Sequence, residues 1–300
     1  MCTGILLQGE RNYFGRTLDV ASSYGEKIVL TPRKYELSFL REGRISSHYA
    51  MLGVGLEWEG MPLYFDAVNE HGLAAAGLNF PKYAVYHPPI EGKVNLASFE
   101  LIPFVLSKCK NLTEAVELLK RCNITPDSVS PDYPATPLHW MIADKQRSVA
   151  VEPTAGGIVI YDNPFGVLTN SPPFPIHREN VMLNPRLAPG SASRLPGDWS
   201  PESSFLRSLF EKKYTAGSGD VNRFFHIMDT VAVPRGCSLT PEGEDSMTVY
   251  TSCADLERGD YYFTTYENRE IKKVAFDSAY LDSDRLSVYS MREEKTMIYC

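Results

Sequence analysis

Hydrophobic positions along the chain first alternate with polar ones, then recur at helical spacing, then alternate again. Residues 13–20, 27–31, 49–56 and 64–68 are rich in β-branched and aromatic residues and are separated by Gly, Pro or polar clusters, which predicts strands. Ahead of them, Thr3-Gly4-Ile5-Leu6-Leu7 predicts an apolar strand that fixes the start of the chain. Asn69-Glu70-His71-Gly72 has the residues of a hairpin turn and leads into a strand over 73–79. There the run Ala74-Ala75-Ala76-Gly77 is small enough for another layer or a ligand to approach closely.

The period then lengthens. Residues 99–109 are expected to be helical, with Pro103 near a start or kink. Asn111 followed by Glu114 resembles a capping box ahead of Leu112, Ala115, Val116 and Leu119. Residues 139–143 and 148–152 read as a hairpin, with a further strand at 158–161 after Gly156-Gly157. The Pro-, Gly- and Ser-rich stretch 172–199 reads as a long loop. Ser200-Pro201 and Asp220 then start two helices, carrying Phe205, Leu206, Leu209 and Phe210, and Phe224, Ile227, Met228 and Val231. Strands return at 248–253, 260–265, 270–276 and 286–289. Helices segregated between groups of strands predict α+β, not alternating βαβ. With no repeat or linker, residues 1–300 are expected to form one domain.

Composition narrows the function. Hydrophobic residues make up 43% and charged residues 22% of the 300, the balance of a soluble globular chain. The net charge of −7, with no basic block, argues against a general nucleic-acid binder or one for anionic membranes. Six scattered cysteines without a C-x-x-C pair, and six scattered histidines, signal neither a disulfide framework nor a metal site. Free thiols and the lack of a signal-like start or an apolar span predict a cytoplasmic protein that uses no metal or cofactor.

The candidate chemistry begins at Cys2. A small residue after the initiator Met1 suits methionine removal, and the amine so freed has an ordinary pKa of about 7.7–8.0. It could act, directly or through a water, as the base for the thiol on the same residue. Farther on, Arg16 and Leu18 share one face of a strand, with Asp19 on the other unless the strand bends. Arg16 suits a thiolate and Asp19 a terminal amine, although a plain surface ion pair would read the same way.

The motifs decide between these readings. Met1-Cys2-Thr3-Gly4, Phe14-Gly15-Arg16-Thr17-Leu18-Asp19 and Gly77-Leu78-Asn79-Phe80-Pro81 resemble the choloylglycine hydrolase family. So do Leu138-His139-Trp140-Met141-Ile142-Ala143-Asp144, Gly166-Val167-Leu168-Thr169-Asn170-Ser171-Pro172 and Leu195-Pro196-Gly197-Asp198. Val233-Pro234-Arg235-Gly236, Tyr250-Thr251-Ser252-Cys253 and the stretch 261–271 containing Thr265-Tyr266-Glu267-Asn268 complete the set, in family order over nearly the whole chain.

The resemblance implies a four-layer αββα sandwich of two antiparallel sheets with helices outside, the N-terminal-nucleophile (Ntn) hydrolase fold. It implies Cys2 as nucleophile with its own amine as base, Arg16 beside the thiol and Asp19 holding the amine. It further implies Asn170 and the backbone N–H of Asn79 as the oxyanion hole, with Arg235 stabilising charge near the reaction centre. The activity implied is hydrolysis of glycine- or taurine-conjugated bile salts. Asparagine at position 79 resembles these bile salt hydrolases more than the penicillin V acylases of the same family, which remain the nearest alternative. A bile acid-binding sensor would be expected to carry a substituted catalytic set. Leu18, Trp58 and Phe65 match pocket positions of the family, Trp58 and Phe65 being bulkier than is usual there, and Arg194 is placed to meet the anionic end of a conjugate. A homotetramer is implied by the resemblance alone.

Overall fold

The computed structural model describes residues 2–131, 134–184, 195–215, 220–240, 243–276 and 280–292. Eight strands come first: β1 (Cys2–Leu7), β2 (Tyr13–Val20), β3 (Lys27–Thr31), β4 (Leu37–Phe39), β5 (Gly43–Ile45), β6 (Met51–Trp58), β7 (Met61–Asn69) and β8 (Ala74–Asn79). β9 (Val94–Ala97) leads into α1 (Leu101–Lys108), α2 (Leu112–Leu119) and β10 (Cys122–Thr125). Four more strands, β11 (Leu138–Ala143), β12 (Ser148–Thr154), β13 (Gly157–Asp162) and β14 (Val167–Thr169), precede α3 (Phe174–Met182), α4 (Pro201–Tyr214) and α5 (Val221–Asp229). The remainder is β15 (Ser238–Leu239), β16 (Asp245–Asp255), β17 (Tyr261–Thr265), β18 (Lys272–Val274) and β19 (Ser287–Ser290).

These strands build two large antiparallel sheets. The first runs β14–β1–β2–β16–β17–β18, with β15 attached to β16, and the second runs β13–β12–β11–β8–β7–β6–β3–β19. β1 and β2 lie against β8, so the sheets face each other. On the outer side of the second sheet α1 packs over β6, β7 and β8, while α4 covers β1 and β14 and α5 covers β2 and β16. The expected αββα layering is what forms. Along β11 the alternation is plain: Met141 and Ala143 belong to one apolar core, Trp140 and Ile142 to the other.

The expected caps are in place. Asn111 Oδ1 accepts from the Glu114 N–H at 3.0 Å, Ser200 Oγ from Ser203 at 3.3 Å and Asp220 Oδ1 from Arg223 at 3.0 Å.

The expected loop over 172–199 is wrong in part, because α3 occupies its first third. Pro173 and Pro175 made the stretch read as irregular, yet proline fits the first turn of a helix. What caps this helix lies far away in sequence: Glu152 Oε1 on β12 accepts the Phe174 N–H at 2.7 Å. Short strands such as β4, β5, β14 and β15 carry too few residues to show a period.

Gly15 explains how closely β2 and β16 approach each other. A Cβ on Gly15 would lie 1.9 Å from the backbone oxygen of Ser252 on β16. Only glycine lets β2 and β16 pack here, next to Arg16. Gly15→Ala is expected to destabilise the protein by about 3 kcal/mol or more, read as a large drop in the midpoint of chemical denaturation.

Candidate active site

Cys2 is the first residue of β1, an interior strand with β2 on one side and β14 on the other. It pairs with Leu18, so its side chain shares a face with Leu18 and, one step along, with Arg16. That face looks into the second sheet: the Arg16 guanidinium, 1% exposed, donates through Nη1 to the Gly77 carbonyl on β8. Asp19 lies on the opposite face, as the alternation predicts. It pairs with Thr248 of β16, whose hydroxyl donates to Asp19 Oδ1 at 2.6 Å, and the Thr17 hydroxyl donates to Asp19 Oδ2 at 3.3 Å. Since Leu18 stands opposite Cys2, Asp19 lies just past the start of β1, on the side from which the Cys2 nitrogen emerges.

The second wall of the site is main chain. Pairing of β7 with β8 ends at Asp66–Ala76, which leaves the rest of that edge of β8 without a strand. The Phe80 N–H donates to the Pro137 carbonyl, so the adjacent Asn79–Leu138 pair is the non-hydrogen-bonded kind. The N–H and C=O of Asn79 therefore point away from β11, toward the same side as the Gly77 carbonyl. Asn170, one residue beyond β14, closes the gap between the two sheets. Its Nδ2 donates to the Asn79 carbonyl at 2.7 Å, and its Oδ1 accepts from the Cys2 nitrogen.

The electrostatics centre on Arg16. Burial acts against its charge, but Cys2, Tyr250, Asp66 and Asp19 together hold it above its ordinary pKa. Behind it, the buried Asp66 carboxylate accepts from Tyr250 at 2.6 Å, from Ser252 at 2.8 Å and from Tyr261. Burial raises the Asp66 pKa, against the pull of Arg16 and these hydroxyls. Burial likewise raises Asp19, opposed by the Thr248 hydrogen bond and by Arg16. Within the site, Arg16 Nη2 and Asn79 Oδ1 are buried without a hydrogen-bond partner among the described residues.

Comparison with known proteins shows the family. A family profile described as linear amide C–N hydrolases, choloylglycine hydrolase family, matches residues 2–289. The chain belongs to the choloylglycine hydrolase family. It is similar to a bile salt hydrolase/transferase of Lactiplantibacillus plantarum, with 38% identity over 98% of each chain. A crystallised variant of conjugated bile acid hydrolase from Clostridium perfringens superposes with a TM-score of 0.92, at 33% identity over 99% of each chain. A penicillin V acylase from Agrobacterium tumefaciens shares the fold, with a TM-score of 0.78 at 23% identity, covering 96% of this chain and 91% of that one.

Within this choloylglycine hydrolase scaffold, Cys2, Arg16, Asp19, Asn79 and Asn170 are brought together. Arg235 stands at the edge: it is exposed before β15, its guanidinium 5.9 Å from the Tyr266 ring centroid and its N–H 3.2 Å from the Tyr266 hydroxyl. Its loop is tied to Asp19 through Val233, whose N–H donates to the Thr248 hydroxyl at 2.8 Å. Leu18 is buried beside Cys2, and Phe65 lies half-buried against the same core, its ring 5.9 Å from that of Tyr24. Trp58 lies at the end of β6, exposed next to the β6–β7 turn, on the strand face that also carries Leu52 and Val54. Arg194 lies outside the described residues.

Sequence reasoning missed several contributors. Gly77 acts through its carbonyl, Asp66 and its hydroxyl donors gather only when the sheets stack, and Glu152, His139 and His177 converge behind Asn170 from separate elements. No helix among the described residues is long and apolar enough to cross a membrane.

Proposed function

We propose that the chain hydrolyses the amide bond of glycine- or taurine-conjugated bile acids, with Cys2 as nucleophile once Met1 has been removed. The observation that carries this reading is the junction at Cys2. One side chain, Asn170, binds the Cys2 nitrogen through its oxygen and the Asn79 carbonyl through its Nδ2. A primary amide has two N–H donors, so the second remains for a substrate oxygen.

In this reading the Cys2 sulfur attacks the amide carbonyl while its proton passes to the freed α-amine. The Asn170 amide and the outward Asn79 N–H receive the oxyanion. Arg16 is the fixed positive charge beside the sulfur, and Asp19 steadies the ammonium. Collapse of the tetrahedral adduct expels glycine or taurine, which takes the proton from the ammonium, and leaves an acyl thioester. Water then attacks the thioester with the same amine as base, releasing the bile acid and regenerating the thiol. The steroid face is met by Leu18, Phe65 and Trp58, since burying apolar surface contributes about 25 cal/mol per Å². Arg235 at the rim and Arg194 supply positive charge for the anionic end of the conjugate.

The test compares initial rates on glycocholate, taurocholate and penicillin V, using protein shown by intact mass to lack Met1. Release of glycine or taurine is expected to outpace cleavage of penicillin V. The reverse order would replace this reading with that of a penicillin V acylase.

A further inference from the structure

Two buried histidines flank Asn170 from behind. His139, on β11, donates through Nε2 to the Thr169 carbonyl at 2.8 Å. His177, on α3, contacts the Asn170 carbonyl through Nε2 at 3.0 Å and the Thr169 hydroxyl at 3.3 Å. Both peptide oxygens around the Asn170 Cα are thereby held by imidazole. The rings are themselves fixed: His139 lies flat on Phe80, with centroids 4.3 Å apart, and His177 on Phe205 at 4.9 Å.

Glu152 couples the two. Its Oε1 lies 3.4 Å from His139 Nδ1 and also accepts the Phe174 N–H at the start of α3, one turn before His177. The connection extends to the other half of the oxyanion hole, because Phe80, on which His139 stacks, directly follows Asn79. The His139 ring thus sits between the two segments that supply the proposed oxyanion donors. Burial lowers the His177 pKa and so favours the neutral ring. With a carbonyl as partner, its one proton is on Nε2, and Nδ1 has no partner among the described residues.

We propose that His139 and His177 are positioning residues for Asn170, clamping the peptide groups on either side of it so that its side-chain amide is aimed at the reacting carbonyl. The inference rests on the oxyanion role read for Asn170 above. Neither ring touches the nucleophile, so their effect should appear in transition-state stabilisation and not in the reactivity of the thiol.

The experiment pairs His177→Leu with His177→Gln, whose amide N–H can still reach the Asn170 carbonyl. Glycocholate turnover and alkylation of Cys2 by iodoacetamide, which needs no oxyanion hole, are measured side by side. For His177→Leu, kcat is expected to fall about 10- to 100-fold, with KM and the alkylation rate within about twofold of wild type. His177→Gln is expected to recover most of the loss. If the leucine variant does not fold, as judged by circular dichroism, His139→Gln is read in the same assays, with the same expected split between turnover and alkylation. A wild-type kcat in the folded variant, or alkylation that falls in step with turnover, overturns the clamp. A wild-type protein alkylated at Cys2 that releases no glycine overturns the functional reading and the clamp with it, and is recognised before any variant is compared.

Discussion

Replacing Cys2 by alanine is expected to abolish release of glycine or taurine from conjugated bile salts, by more than about 10⁴-fold in kcat. Of the other described cysteines, Cys237 is exposed in the loop after Arg235 and the rest are buried. Cys109, Cys122 and Cys253 are buried thiols whose pKa burial raises, on strands or helix ends away from β1. The substitution removes one atom from a position 4% exposed, so the fold should lose only about 1 kcal/mol. The thermal midpoint should therefore stay close to wild type while product release disappears from the amine assay. The same assay on protein that retains Met1 is expected to be silent, since the Cys2 nitrogen is then an amide with no basic lone pair. Undiminished cleavage in either case would remove Cys2 and its amine from the mechanism.

The second large effect is expected at Asn170. Asn170→Ala removes the donor toward the oxyanion together with the bond to the Asn79 carbonyl. Loss of one such donor costs about 2.7–4 kcal/mol of transition-state stabilisation, or roughly 10²- to 10³-fold in kcat, with KM little changed. Asn170→Asp separates the two ends of the side chain: an oxygen still faces the Cys2 nitrogen, but the N–H donor is gone. Aspartate is therefore expected to be no better than alanine. Steady-state kinetics on glycocholate read both, and a kcat within threefold of wild type for either variant would show that the oxyanion is stabilised elsewhere.

The strands that line the candidate site were legible because their residues mark them as strands. β2, with its Phe-Gly-Arg-Thr-Leu-Asp run, could be placed from its β-forming residues, and the small-residue strand β8 from the hairpin turn ahead of it. Arg16 and Leu18 could be put on one face and Asp19 on the other, because β2 runs on as one strand to Val20. What could not be read is whatever depends on the second sheet. No local pattern says that Gly77 will accept from Arg16, or that Asp66 will gather Tyr250, Ser252 and Tyr261 across the interface.

The stretch after Ser171 failed for a different reason. The helix there is capped by Glu152, a residue 22 positions earlier, so its own sequence carries prolines but no cap. His177 was hidden with it. His139 lay within a family motif, yet its partners, the Thr169 carbonyl and the Glu152 carboxylate, lie on other strands, and nothing local marks it. Arg235 was matched through its motif, whereas its stacking on Tyr266 at the rim depends on how two loops meet.

Because β8 parts from β7 after Ala76 while it stays paired with β11, part of this site is made from peptide groups. A carbonyl at Gly77 or an N–H at Asn79 cannot be deleted by changing a codon, since every amino acid but proline supplies both. In the proposed mechanism, heritable variation at Asn79 would therefore change the side chain there without abolishing the donor. Under that mechanism the reaction chemistry would persist while the residue at this position is free to drift.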